Sequence, residues 1–157
     1  MDKSVKQFDE ELSDFLQGAG AMYPPNCFIA MKAEVIHYES RTSLTVKFPV
    51  PEESLNPLRT MQGGFIVAAF DNVFGPLSYA AARCPCVTMN LNAQFIRPIL
   101  AGDWLTITAK VVSRGNQILY MTASAFNGKK QTDRDRQHEC YNAEIQTAGI
   151  ILMTTQR

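Results

Sequence analysis

The chain has 157 residues, enough for one domain with a sizeable core. Hydrophobic residues make up 46% and charged residues 19%, a globular balance that excludes a disordered chain. Lys plus Arg and Asp plus Glu number 15 each, and zero net charge removes the electrostatic case for nucleic-acid binding.

The opening, MDKSVKQFDEELSDF, is charged and carries no apolar signal core, which points to a cytoplasmic protein. Val5, Phe8, Leu12, Phe15 and Leu16 fall at helical spacing, predicting a helix over 4–17 that Gly18 and Gly20 stop. Two strands follow. Over 28–38, Ile29, Met31, Ala33 and Val35 alternate with polar residues; over 41–50, Leu44, Val46 and Phe48 do the same, until Pro51 ends the ladder. Residues 62–82 read as a long helix, apolar on every side and so enclosed by other structure, with Gly75-Pro76 set to kink it or break its last turns. Its length approaches that of a membrane span, but Asp71, Asn72, Gly75, Pro76 and Ser78 inside it favour a buried core helix.

The remainder is β. CVTMNLNAQFIRPI alternates cleanly, with Val87, Met89, Leu91, Ala93 and Phe95 on the inward face. Strands over 103–113 (Leu105, Ile107, Ala109 and Val111 inward) and 118–126 follow, with a last one within 140–154. These elements predict an α+β fold, a curved antiparallel sheet of five or six strands wrapped around one long helix. One domain accounts for 1–157, with 1–27 a short N-terminal helix and lead-in and 28–154 the core.

Cys84, Cys86, His138 and Cys140 offer four possible metal ligands, but their C-x-C and H-x-C spacings do not suit one zinc ion, and no metal site is expected. With Cys27 they read as reduced, packing cysteines, and none has a matched histidine that would make it a nucleophile. Lys129, Lys130, Arg134 and Arg136 could meet phosphates, but Asp133 and Asp135 between them point to a solvated loop.

The chemistry gathers in QGGFIVAAFDN, residues 62–72. An aspartate on an apolar helix is costly unless it is satisfied or useful. Structural pairing would account for Asp71, and tight packing for Gly63-Gly64, if each stood alone. Together they suggest more. A helix start offers unpaired N–H groups and the positive end of the helix dipole. Glycines there let a ligand oxygen approach those donors, the arrangement of an oxyanion hole, and Asp71 is the candidate base or nucleophile. Asp71 lies seven residues beyond Gly64, about 10 Å along the axis, too far to serve its own glycines. Two such helices packed antiparallel in a two-fold dimer would bring one chain's Asp71 to the other's Gly63.

The order of elements and the QGGFIVAAFDN segment resemble the hotdog-fold acyl-CoA thioesterases of the PaaI and 4-hydroxybenzoyl-CoA thioesterase group. The likeness covers roughly 28–154 and is strongest over 56–98. That group reads H-G-G with an acid seven residues after the second glycine, an Asn six residues before the His, and a hydroxyl residue opening the next strand. Asp71, Asn56 and Thr88 match; Gln62 stands in place of the histidine. The resemblance implies that the Gly63 amide polarises the thioester carbonyl, with Asn56 helping to bind it or to place water. Asp71 of the facing subunit would activate water or attack the carbonyl, and Thr88 would orient that water or bond to Asp71. Gln62 and Gly64 would contact substrate, Gln62 through an amide that can still bond to a carbonyl. It further implies no cofactor beyond the coenzyme A of the substrate, and homodimers or dimers of dimers. The substrate would be a small or medium acyl- or aryl-CoA. Hydratases and dehydratases share the fold but need a histidine near the acid, and His37 and His138 fall in an early strand and a polar loop. A non-catalytic acyl-CoA binding or sensing module is the other alternative.

Overall fold

The computed structural model describes residues 3–128 and the backbone of 147–153. Helix α1 runs Lys3–Gly18 and buries Phe8, Leu12 and Leu16, the expected apolar stripe. A short helix, α2 (Asn26–Ala30), precedes β1 (Glu34–Glu39) and β2 (Ser43–Pro49). A 3-10 turn at Glu52–Ser54 leads to the long α3 (Gly63–Ala82). Then come β3 (Cys86–Asn92), β4 (Trp104–Arg114), β5 (Ile118–Gly128) and β6 (Thr147–Met153). The strands form one sheet in the order β1-β2-β4-β5-β6-β3, every neighbouring pair antiparallel, with β1 and β3 at its edges. This is the hotdog arrangement, with the sheet curved around α3.

Alternation builds the core. Leu44, Val46 and Phe48 of β2, Leu105, Ile107 and Ala109 of β4, and Leu119, Met121 and Ala125 of β5 are all fully buried. They share one apolar cluster with Phe70, Val73, Phe74 and Leu77 of α3 and with Phe8 and Leu12 of α1. Each large side chain so buried contributes about 1.5–3 kcal/mol. Although α3 has the length and hydropathy of a membrane span, 61% of that stretch is buried inside the protein.

Four expectations from the sequence are corrected. Residues 28–33 do not begin a strand: Asn26–Ala30 is helical after Pro25, and Ile29 points out at 57% exposure. Of the two outcomes expected at Gly75-Pro76, a break does not occur: α3 carries Pro76 inside it and runs on to Ala82. Strand β3 stops at Asn92, so Phe95 belongs to an irregular segment; Val87 and Met89 are exposed, because it is Cys86 and Thr88 that turn toward α3, bonding to Ser78 and Asp71, and alternation sends Val87 the other way. Finally, α3 is not enclosed on every side: Gly64, Phe65, Ala68 and Asp71 form an exposed stripe at helical spacing.

Candidate active site

Backbone hydrogen bonds fix the start of α3 from three directions. Gln62 N–H donates to the Ser54 carbonyl (2.8 Å), Met61 N–H to the Ile99 carbonyl (2.7 Å), and Asn56 N–H to the Thr60 carbonyl (2.8 Å). Gln62 is the N-cap, extended at φ −63°, ψ 135°, and its side chain makes no capping hydrogen bond. The first helical bond runs from Phe65 N–H to the Gln62 carbonyl at 2.9 Å, so the Gly63 and Gly64 amides precede it. The first turn carries no acidic residue to offset the positive end of the helix dipole. Both Gln62 and Gly64 are exposed.

Asn56 shapes the loop that leads into this turn. Its Nδ2 donates to Thr60 Oγ1 at 2.8 Å, and its Oδ1 accepts from the amides of Leu58 (2.9 Å) and Thr60 (3.2 Å). One Nδ2 proton is left beyond the bond to Thr60. Arg59, at φ 62°, pairs with Glu52 across the same loop at 2.9 Å.

Two turns along α3, Thr88 Oγ1 of β3 donates to Asp71 Oδ1 at 2.6 Å. The bond joins Asp71 to the hydroxyl residue that the family resemblance pointed to on the next strand; both residues are exposed, and Oδ2 of the carboxylate has no hydrogen-bond partner among the described residues. Next to Asp71, Asn72 turns inward and donates from Nδ2 to the Met31 sulfur at 3.0 Å. His37 lies on β1, at the opposite edge of the sheet from the strand that carries Thr88.

The sequence-selected residues therefore form two groups on one helix. Asn56, Gln62, Gly63 and Gly64 make a donor end; Asp71 and Thr88 make an acid end about 10 Å further along the axis. Gln62, Gly64, Asp71 and Thr88 are exposed, and Asn56 and Gly63 are partly buried. A concavity of about 670 Å³ sits elsewhere, between α1 and residues 23–35, lined by Val5, Asp9, Tyr23 and Phe28 among others. Sequence reasoning missed Phe95, which stands against Gly63 and which strand alternation had assigned to the core.

Cys27, Cys84 and Cys86 are free thiols; burial pushes the Cys86 thiol up to about 11, so it stays protonated at neutral pH. Among the described residues no three His, Cys, Asp or Glu side chains converge as metal ligands. His138, Cys140, Lys129, Lys130, Arg134 and Arg136 lie outside the described residues.

Residues 59–133 match the family described as Thioesterase superfamily. A protein of Thermoplasma acidophilum named "Putative esterase Ta0293" is 32% identical over 98 residues, covering 61% of this chain and 73% of that one. The chain belongs to the thioesterase superfamily. Among solved structures, the Escherichia coli PaaI protein from the phenylacetic acid degradation operon superposes with a TM-score of 0.73 at 19% identity, covering 94% of this chain and 96% of that one. A Streptococcus mutans protein solved with acetyl-CoA bound superposes at 0.66 and 20% identity, covering 80% of this chain and 90% of that one. At such identities the likeness carries the fold, which is that of the PaaI-like hotdog proteins. Within this superfamily the chain is a thioester hydrolase.

Proposed function

We propose that this thioesterase hydrolyses small or medium acyl- or aryl-CoA thioesters at sites shared between two subunits, each combining one chain's donor end with the other's acid end. The observation that carries the reading is the Thr88–Asp71 hydrogen bond on the exposed stripe of a helix whose glycine start is uncapped. Thr88 fixes one carboxylate oxygen and leaves the other free to act. Asp71 takes a proton from water as the water oxygen bonds to the thioester carbon, or attacks that carbon itself to form an anhydride that water then opens. The carbonyl oxygen, now an oxyanion, is held by the Gly63 and Gly64 amides at the positive end of α3. Collapse of the tetrahedral species breaks the C–S bond and releases coenzyme A as thiolate, which takes up a proton. The steps use no metal or cofactor, and Gln62 and Asn56 help to hold the carbonyl and the loop.

Two features support the subunit pairing. The stripe of Gly64, Phe65, Ala68 and Asp71 is a helix face, apolar but for the aspartate, left uncovered by the described residues. Strand β3 lies at an edge of the described sheet, which a second copy can extend, and it exposes Val87 and Met89 at 55% and 57%. Antiparallel pairing of two α3 helices sets each Asp71 beside the partner's glycines; further pairing into a dimer of dimers and a cytoplasmic location complete the proposal. The acetyl-CoA bound to the Streptococcus mutans protein is consistent with an acyl-CoA ligand for this fold. The test is release of free thiol from a panel of acyl-CoAs by wild type and Asp71→Asn. Turnover lost in the variant supports the assignment; an inactive wild type, or a fully active variant, overturns it.

A further inference from the structure

Gly63 has a neighbour that the proposed chemistry leaves unused. A Cβ built on Gly63 would lie 3.4 Å from Cε2 and Cζ of Phe95, in van der Waals contact with the ring edge, whereas one built on Gly64 would meet nothing within 4 Å among the described residues. The space before the first turn of α3 is thus walled by an aromatic ring on one side and open on the other. Phe95 is 50% exposed and lies on an irregular segment between β3 and β4, outside the buried core cluster. Large aromatic rings are usually buried, so a half-exposed ring held against the candidate oxyanion donor has contact surface to offer a ligand.

The distances are short enough for that. A Cβ sits about 2.5 Å from its own amide nitrogen, so the ring edge lies within about 6 Å of the Gly63 amide. A carbonyl oxygen accepting from that amide at about 2.9 Å brings the first carbons of its acyl group within reach of the ring.

We propose that Phe95 is a specificity-determining wall of the acyl subsite, packing against the carbons next to the thioester carbonyl and selecting apolar acyl or aryl groups over acetyl. The inference rests on the thioesterase reading with Gly63 as donor. Gly63 then has a second reason to lack a side chain: a Cβ would occupy the gap between the ring and the helix start.

Steady-state kinetics of wild type, Phe95→Ala and Phe95→Leu on acetyl-, hexanoyl- and benzoyl-CoA test it. Phe95→Ala should lower kcat/KM for hexanoyl- and benzoyl-CoA about ten-fold or more, while acetyl-CoA changes by less than about two-fold. Phe95→Leu, which keeps apolar volume, should recover hexanoyl-CoA better than benzoyl-CoA. Thermal melts should stay near wild type, because the ring is half exposed. Equal losses on all three substrates, or an unchanged substrate ranking, would overturn the assignment of Phe95 while leaving the thioesterase reading intact. A wild type that cleaves none of the three would overturn both.

Discussion

Replacing Gly63 with proline removes one hydrogen-bond donor and adds carbon beside the Phe95 ring. Gly63 is the first residue of α3, where proline is favoured because the amide there has no helical partner. Gln62 before it is already at ψ 135°, the extended conformation that a residue preceding proline adopts. The new Cβ would meet the Phe95 ring at 3.4 Å, a contact and not a clash. Stability should therefore hold, or rise by roughly 0.4–1 kcal/mol through the stiffer unfolded chain. Catalysis should not hold. Losing one oxyanion donor costs about 100- to 1,000-fold in kcat, roughly 2.7–4 kcal/mol of transition-state stabilisation. Urea denaturation and thiol-release kinetics on the same preparation separate the two effects, and Gly63→Ala, which keeps the amide, controls for the added carbon. A proline variant as stable as wild type and within a few-fold of its kcat would refute the role of the Gly63 amide.

Gly64→Ala adds a carbon that would meet no atom from elsewhere among the described residues within 4 Å and that points toward the helix N-terminus. It should raise the melting temperature by about 1–3 °C, from up to about 1 kcal/mol of helix propensity, yet lower kcat/KM at least ten-fold by crowding the substrate oxygen. Thr88→Val deletes the 2.6 Å hydrogen bond to Asp71 and should cut kcat about ten-fold with little change in KM, whereas Thr88→Ser should restore it; an unchanged kcat in the valine variant would remove Thr88 from the mechanism. At Glu11, burial alone would raise the carboxyl, but hydrogen bonds from Gln7, Tyr38 and Ser40 and the charge of Arg41 outweigh it and hold the group below its ordinary 4.5. The tie from α1 to Tyr38 is then fully present above about pH 4.5 and is lost as pH falls through the lowered value, so amide exchange in α1 should quicken there in wild type and less in Glu11→Gln.

Most of the fold was legible because most strands bury one face in their own chain. The expected inward set Leu105, Ile107 and Ala109 is buried on β4, with Val111 half-buried, and the strands expected over 103–113 and 118–126 run Trp104–Arg114 and Ile118–Gly128. The same pattern misled at β3, where Val87 and Met89 form an apolar row that no part of the described chain covers. Alternation reports that a face is made for burial, not which chain buries it. The α3 stripe hid for the same reason: Phe65 and Ala68 read as core, and only coordinates show them uncovered. Over 28–33 a short apolar run fits period two and a single helical turn equally, and Pro25 before Asn26 was the available cue for the helix. Asp71 and the glycines were legible because a carboxylate and paired glycines stand out in an apolar segment, whereas Thr88, one threonine in an ordinary strand, came only from the resemblance to the hotdog thioesterases. Phe95 was not, because a phenylalanine continuing an alternating run looks like core until its backbone leaves the sheet.

The central claim is that donor end and acid end belong to different chains, and mixing two inactive variants tests it most directly. Asp71→Asn keeps the glycines, and Gly63→Pro keeps the acid. Unfolded together in equal amounts and refolded, they should form mixed dimers in which one site of two is intact. With random pairing, the mixture should recover about a quarter of wild-type thiol-release activity. Activity no greater than the sum of the two separate variants, from a preparation in which mixed dimers are verified, would contradict the account.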